Sequence, residues 1–102
     1  RHIAYWKHWA LKYVKENTAM NAKADNWKPL PEVQTEESWQ EEIEKLRKIN
    51  EECIKTALQL GNELMESSQE NHVFFRQLLF HDCYHTGQIG LLRAMQGIKP
   101  VE

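Results

Sequence analysis

The sequence predicts an all-α protein, a helical bundle, and three observations support that prediction. Apolar residues recur at spacings of three and four along three long segments, which is the period of an amphipathic helix. No segment alternates apolar and polar residues in the manner of a half-buried strand. The chain has 102 residues, a length that favours one domain spanning 1–102.

The amino-acid composition argues against several function classes. The formal net charge is −2, so no basic surface points to nucleic acid, and no apolar run is long enough to cross a bilayer. No signal-peptide pattern is visible at the start. Cys53 and Cys83 lie in predicted helices without paired spacing, so we expect two reduced thiols in a cytoplasmic protein.

The first predicted helix runs from about Arg1 to about Thr18. Its core-facing stripe consists of His2, Trp6, Trp9 and Tyr13, widened by Ile3, Ala10 and Val14. Neither an initiator methionine nor a capping side chain precedes this pattern. We therefore expect the sequence to begin inside a helix, as an N-terminally truncated domain.

The stretch ADNWKPLPEVQ interrupts the helical pattern. Pro29 and Pro31 exclude regular helix there, because proline lacks an amide hydrogen and restricts the residue before it. The two large apolar side chains of this linker, Trp27 and Leu30, are expected to attach it to the bundle.

The second predicted helix runs from about Ser38 to Glu66. Thr35 or Ser38 can cap it, and only Ser38, with Glu41 three residues later, matches the pattern of a capping box. Its heptad seam consists of Trp39, Ile43, Leu46, Cys53, Ala57, Leu60 and Leu64. Gly61 is expected to lower the stability of this helix only slightly.

The third predicted helix runs from about His72 to about Gln96, where Gly97 and Pro100 follow in the order that ends a helix. The residues that can cap its start are Ser67, Ser68 and Asn71. Its seam consists of Phe74, Leu78, His81, His85, Leu92 and Met95, with Gln88 in the remaining position. Three antiparallel helices are thus predicted, and an upstream fourth would complete a four-helix bundle.

Two histidines four residues apart, His81 and His85, lie in the apolar seam of the third helix. Their rings share one face, and His2 lies in the seam of the first helix, so three imidazole nitrogens can meet at one metal ion. Three ligands leave a position for water or substrate, as in catalytic sites. Alternatively, the pair is two histidines of the core or the surface whose hydrogen bonds are satisfied without a metal. His8 is expected on the surface and His72 at a helix start.

The stretch HDCYHTGQIGLLRAMQG resembles the C-terminal motif of the DinB-like (YfiT-like) superfamily, which lies on the last helix of a four-helix bundle. HIAYWKHW resembles the second helix of that family, and NWKPLPEVQTEESWQEEIEKL resembles its crossover linker and third helix. The resemblance implies a four-helix up-down bundle of DinB type whose first helix is missing here, with three main helices visible. It also implies a homodimer and a zinc or nickel ion held by His2, His81 and His85.

Members of this family with an assigned activity include metal-dependent hydrolases and thiol-S-transferases that use low-molecular-weight thiols. The resemblance therefore implies a divalent-metal-dependent enzyme with a small-molecule substrate. The sequence does not separate hydrolysis from thiol transfer. No clear general base lies in the seam, which weakens the case for a hydrolase.

Six side chains near the histidines are candidates for supporting roles. Asp82 and Gln88 can orient the ligating rings, and Tyr84 can donate a hydrogen bond at the edge of a pocket. The apolar wall of such a pocket would consist of Trp6, Trp9 and Phe74. Each of these residues is alternatively ordinary packing or surface.

Two other functions are compatible with the same residues. The first is a non-catalytic helical module for binding or dimerisation, which predicts that no metal co-purifies with the protein. The second is a metal ion used only as a structural staple, which predicts a closed coordination sphere and unfolding on chelation.

Overall fold

The computed structural model describes residues 1–18, 26–27 and 29–100. These residues form four helices and no strand, so the all-α prediction is confirmed for them. The helices are α1 (His2–Glu16), α2 (Glu36–Leu60), α3 (Asn62–Glu66) and α4 (Glu70–Met95). None of the four is both long enough and apolar enough to cross a membrane.

Helix α1 lies between the two long helices and packs against both α2 and α4. Its contacts with α4 pair His2 with His85 near one end and Tyr13 with Phe74 near the other. The residue numbers therefore rise on one helix as they fall on the other. Helices α1 and α4 are antiparallel, as predicted.

Helices α1 and α2 run in the same direction, so the prediction of antiparallel neighbours is wrong for this pair. The Arg1 guanidinium lies 3.3 Å from Glu42 near the start of both helices, and the Lys7 carbonyl lies 4.0 Å from the thiol of Cys53. The later residue of α1 thus contacts the later residue of α2. A short turn forces neighbouring helices to be antiparallel, whereas the long connection after α1 does not.

The N-terminus of α2 is capped by Thr35, and the capping box predicted at Ser38 and Glu41 is wrong. The Ser38 amide donates to Thr35 Oγ1 and the Thr35 amide donates to Ser38 Oγ, each at 3.1 Å. The serine hydroxyl takes the role usually filled by a glutamate or glutamine side chain. The helix consequently begins at Glu36, two residues before the predicted start.

The single helix predicted to Glu66 is divided at Gly61. Helix α2 ends at Leu60, and Gly61 has φ +53° and ψ −132°, which interrupts the helical hydrogen bonds before α3 begins. Glycine adopts this conformation without the Cβ clash that other residues would meet. Gly61 therefore ends one helix and begins another, rather than weakening a continuous one.

Helix α4 begins at Glu70, with Gln69 as its N-cap, and none of the three predicted caps caps it with a side chain. His72, predicted at the start of the helix, lies in its first turn and is buried, with an exposed fraction of only 5%. Arg76 instead stabilises the turn before α4. Its guanidinium donates to the carbonyl oxygens of Leu64 at 2.5 Å and Ser67 at 2.8 Å.

The core is small and lies where α1 meets the other helices. Its buried apolar residues are Ala10, Leu11, Cys53, Leu64, Phe75 and Leu78. The outer parts of the predicted seams are exposed, including Trp39 and Ile43 on α2 and Leu92 and Met95 on α4. Leu30 in the linker is exposed as well. Periodicity predicts an apolar face, but only the part that meets another helix is buried.

Candidate metal centre

Three histidines from two helices meet at the open end of the α1–α4 interface. Helix α1 places His2 in its first turn, and α4 places His81 and His85 one turn apart. One ring nitrogen from each histidine lies within 4.8 Å of the other two. All three side chains are partly buried. This group could hold a metal ion.

The distance between two of the candidate ligand atoms is compatible with a bound ion. The Nε2 atoms of His2 and His81 lie 3.2 Å apart. Two nitrogens at about 2.0–2.1 Å from one zinc ion, separated by a tetrahedral angle, would lie about 3.3–3.4 Å apart. An ion fits between the two rings with a movement of a few tenths of an ångström.

The hydrogen bonds behind two of the rings direct Nε2 towards the centre. His85 Nδ1 donates to Gln88 Oε1 at 2.7 Å, and Gln88 Nε2 donates in turn to the Tyr84 hydroxyl at 3.1 Å. His2 Nδ1 donates to the carbonyl oxygen of Asn26 at 3.4 Å. Hydrogen bonds at Nδ1 determine the tautomer and the orientation of metal-binding histidines, and they leave Nε2 as the ligand.

The third ring, His81, has no hydrogen bond at Nδ1, although that atom is buried. The nearby oxygen, Asp82 Oδ1, is buried and equally without a hydrogen bond, 3.7 Å away. The other oxygen of Asp82 forms an ion pair with Lys7 from α1. The carboxylate thus lies between a lysine and a candidate ligand.

The electrostatic environment favours the neutral form of His81. Burial lowers its pKa below the ordinary value, and the neighbouring His85 and His2 lower it further, against an opposing contribution from Asp82. A protonated imidazole cannot bind a metal ion, so a lowered pKa favours the ligating form.

Aromatic rings surround the histidines. The Trp27 indole stacks on His2, with ring centroids 4.2 Å apart, and Trp6 lies 5.5 Å from His81 and 5.7 Å from Phe74. Trp6 and Phe74 also pack against the core, and neither lines the clefts beside the histidines, so their place in an apolar pocket wall stays a prediction. Trp9 instead contacts Tyr5 and His8 on the outer side of α1.

Two clefts reach the histidines from outside. The first, of about 240 Å³, lies between the linker and α2 and is lined by His2, Trp27, Leu30 and Trp39, among others. The second, of about 560 Å³, opens between α1 and α4 beside His2, His85, Gln88 and Ile89. His2 lines both clefts, His85 lines only the second, and His81 lines neither.

The remaining predicted residues lie away from the centre. His8 is exposed, as expected, and His72 is buried at the other end of α4. Cys53 is buried and Cys83 is exposed, and neither forms a disulfide. The role of each predicted site residue stays a prediction.

Sequence reasoning missed Lys7 and Asn26, and it expected Trp27 to attach the linker to the bundle without placing it on the ring of His2. Lys7 follows Ile3 by four residues and precedes Ala10 by three, so a lysine on the core face of α1 was a detectable signal. Asn26 contributes a backbone oxygen, and since every residue has one, the sequence does not single out this position. The comparisons with protein-family models, curated proteins and solved structures found no match.

Proposed function

We propose that this protein is a divalent-metal-dependent enzyme that binds zinc or nickel through His2, His81 and His85. Its substrate would be a small molecule, transformed by thiol-S-transfer or hydrolysis. The observation that supports the proposal is the convergence of three ring nitrogens within 4.8 Å, two of them on rings oriented by hydrogen bonds at Nδ1. The resemblance of the α4 motif to the DinB-like superfamily points the same way.

A metal ion held by three neutral imidazoles would polarise a substrate, or lower the pKa of a bound water or thiol, at its open position. The protein would contribute orientation and access. Gln88 holds the His85 ring and donates to the Tyr84 hydroxyl, which would hydrogen-bond to a substrate. The two clefts would admit the reactants.

The carboxylates around the site favour thiol transfer over hydrolysis. Asp82 is engaged by the ammonium group of Lys7. In the linker cleft, Glu42 is paired with Arg1 and Lys45, whose hydrogen bonds lower its pKa. A general base near the attacking water contributes to most metal-assisted hydrolyses, whereas a thiol bound as thiolate needs no such base.

Elemental analysis of the untagged protein tests the proposal. We expect near-stoichiometric zinc or nickel in the wild type and none in the His81→Ala/His85→Ala variant, while the helical circular-dichroism signal persists. His8→Ala is the matched control, because His8 is an exposed histidine on α1, and it should retain the metal. A wild type without metal, even after reconstitution, would refute the proposal.

Exposed apolar residues favour a second candidate function, in which the chain forms a dimer or binds a partner. The large apolar side chains exposed on α2 and α4 include Ile54, Leu58, Leu79, Phe80, Leu91, Leu92 and Met95. Contiguous exposed apolar surface marks interaction sites on soluble proteins. Light scattering over a concentration series tests the homodimer, and a monomer at every concentration would contradict it.

A further inference from the structure

A partly buried ion pair connects the two helices that supply the three histidines. The side chain of Lys7, from α1, is only 6% exposed, and its ammonium group contacts Asp82 Oδ2 on α4. Taking a charged lysine out of water is unfavourable unless a partner of opposite charge compensates it. Lys7 therefore needs Asp82, and Asp82 is held at one position beside His81.

The other oxygen of Asp82 faces the Nδ1 atom of His81. Both atoms are buried, both lack a hydrogen-bond partner, and they lie 3.7 Å apart. Burying two polar atoms without hydrogen-bond partners is unfavourable. These two atoms would be donor and acceptor for each other if the ring carried its proton on Nδ1. A closure of less than about 1 Å would form a hydrogen bond of ordinary length.

The tautomers explain why this hydrogen bond is absent. Since His2 Nδ1 donates to a carbonyl oxygen, its Nε2 is the acceptor in the 3.2 Å contact with His81 Nε2. His81 then carries its proton on Nε2, and its Nδ1 presents a lone pair to the carboxylate. If an ion were bound between the rings, His81 would change tautomer: the Nε2 proton would go to solvent, Nδ1 would take a proton from solvent, and the ring would stay neutral.

We propose that Asp82, held by Lys7, is the positioning residue for His81, and that it accepts the Nδ1 proton of that ring when the metal binds. The inference rests on the proposed metal site and adds a residue from α1 to it. Each of the three histidines would then have an oxygen acceptor behind it, from Asn26, Gln88 and Asp82. Carboxylate–histidine–metal arrangements of this kind orient the ring and make it a stronger ligand.

The experiment compares zinc affinity, by competition with a chelating indicator, across variants of the full chain. We expect Asp82→Asn to weaken zinc binding about 10–100-fold, the usual effect of removing such an acceptor. Lys7→Met/Asp82→Asn leaves no unpaired buried charge, so it remains foldable, and it should weaken binding to a similar extent. In protein loaded with Co²⁺ in place of zinc, the absorption bands of the ion report the geometry of its ligands. We expect these bands to shift in both variants.

The matched control is Lys15→Met/Glu52→Gln, which removes another ion pair that α1 makes with a neighbouring helix, at 3.5 Å. This pair is remote from the histidines, so zinc affinity and the Co²⁺ spectrum should stay at the wild-type values. Wild-type zinc affinity and an unchanged spectrum in the Lys7→Met/Asp82→Asn variant would overturn this inference and leave the metal site intact. Failure of the wild type to bind zinc more tightly than His81→Ala/His85→Ala would overturn both.

Discussion

The Nε2 atoms of His2 and His81 lie 3.2 Å apart, although 79 positions separate the two residues in the sequence. The contact exists because the first turn of α1 crosses α4 where His81 and His85 point inward. Trp27 stacks on the outer face of His2 and Asn26 accepts its Nδ1 proton, so the linker holds this ring from behind. The candidate site therefore depends on both helices and on the linker between α1 and α2.

Removing the amide behind His85 should weaken metal binding without unfolding the protein. Gln88→Ala deletes the acceptor that lies 2.7 Å from His85 Nδ1. We expect zinc affinity to fall about 10-fold or more, because the ring loses its fixed tautomer and orientation. The thermal midpoint of the metal-free protein should barely change, since Gln88 is exposed. Gln77→Ala, another exposed glutamine on α4, should leave affinity unchanged.

The stability of the metal-free protein should depend on pH through His81. Because burial and the neighbouring histidines lower its pKa in the fold, the unfolded chain binds a proton there more readily. Stability should therefore be lost as pH falls from the unfolded value of about 6.5 towards the lower folded value. We expect the thermal midpoint of the wild type to drop more between about pH 7.5 and 5 than that of His81→Gln.

The control for the pH experiment is His8→Gln, which replaces an exposed histidine and should follow the wild type. Parallel pH profiles for the wild type and His81→Gln would show that His81 does not contribute to this dependence.

The two cysteines should differ sharply in reactivity. Burial raises the pKa of the Cys53 thiol to about 11, and the side chain has little access to solvent, whereas Cys83 is exposed. At pH 8, iodoacetamide should modify Cys83 and spare Cys53, because the thiolate is the reactive form. Peptide mass spectrometry measures the labelling, and adding urea should make both sites reactive. Equal labelling of the folded protein would contradict the buried position of Cys53.

Two glycine substitutions should have opposite effects on stability. Gly61→Ala puts a Cβ on a residue with φ +53°, a strained conformation for alanine, and should lower the free energy of unfolding by about 1–3 kcal/mol. Gly90→Ala lies inside α4 with no atom within 4 Å of the new Cβ, so it should raise stability by roughly 0.5–1 kcal/mol. Urea titration measures both. A stabilising Gly61→Ala would contradict the break between α2 and α3.

Periodicity in the sequence was sufficient to predict that the helices exist, because spacings of three and four are a local property of the chain. The spacing of His81 and His85 likewise places both rings on one face of α4 without any knowledge of the rest of the molecule. The errors in the individual helices occurred at their boundaries. At Thr35 and Gly61, hydrogen bonds and a positive φ decided where a helix begins or ends, and several side chains were compatible with each choice.

The tertiary structure alone decided which residues meet. The common direction of α1 and α2, the stacking of Trp27 on His2 and the burial of Lys7 against Asp82 depend on how the helices cross. The apolar periodicity of a sequence does not determine how two helices cross, since the same apolar face can meet a neighbouring helix at several angles and registers. By itself the sequence determined the helices and three candidate ligands, while packing brought His2 to the other two and placed Lys7 behind Asp82.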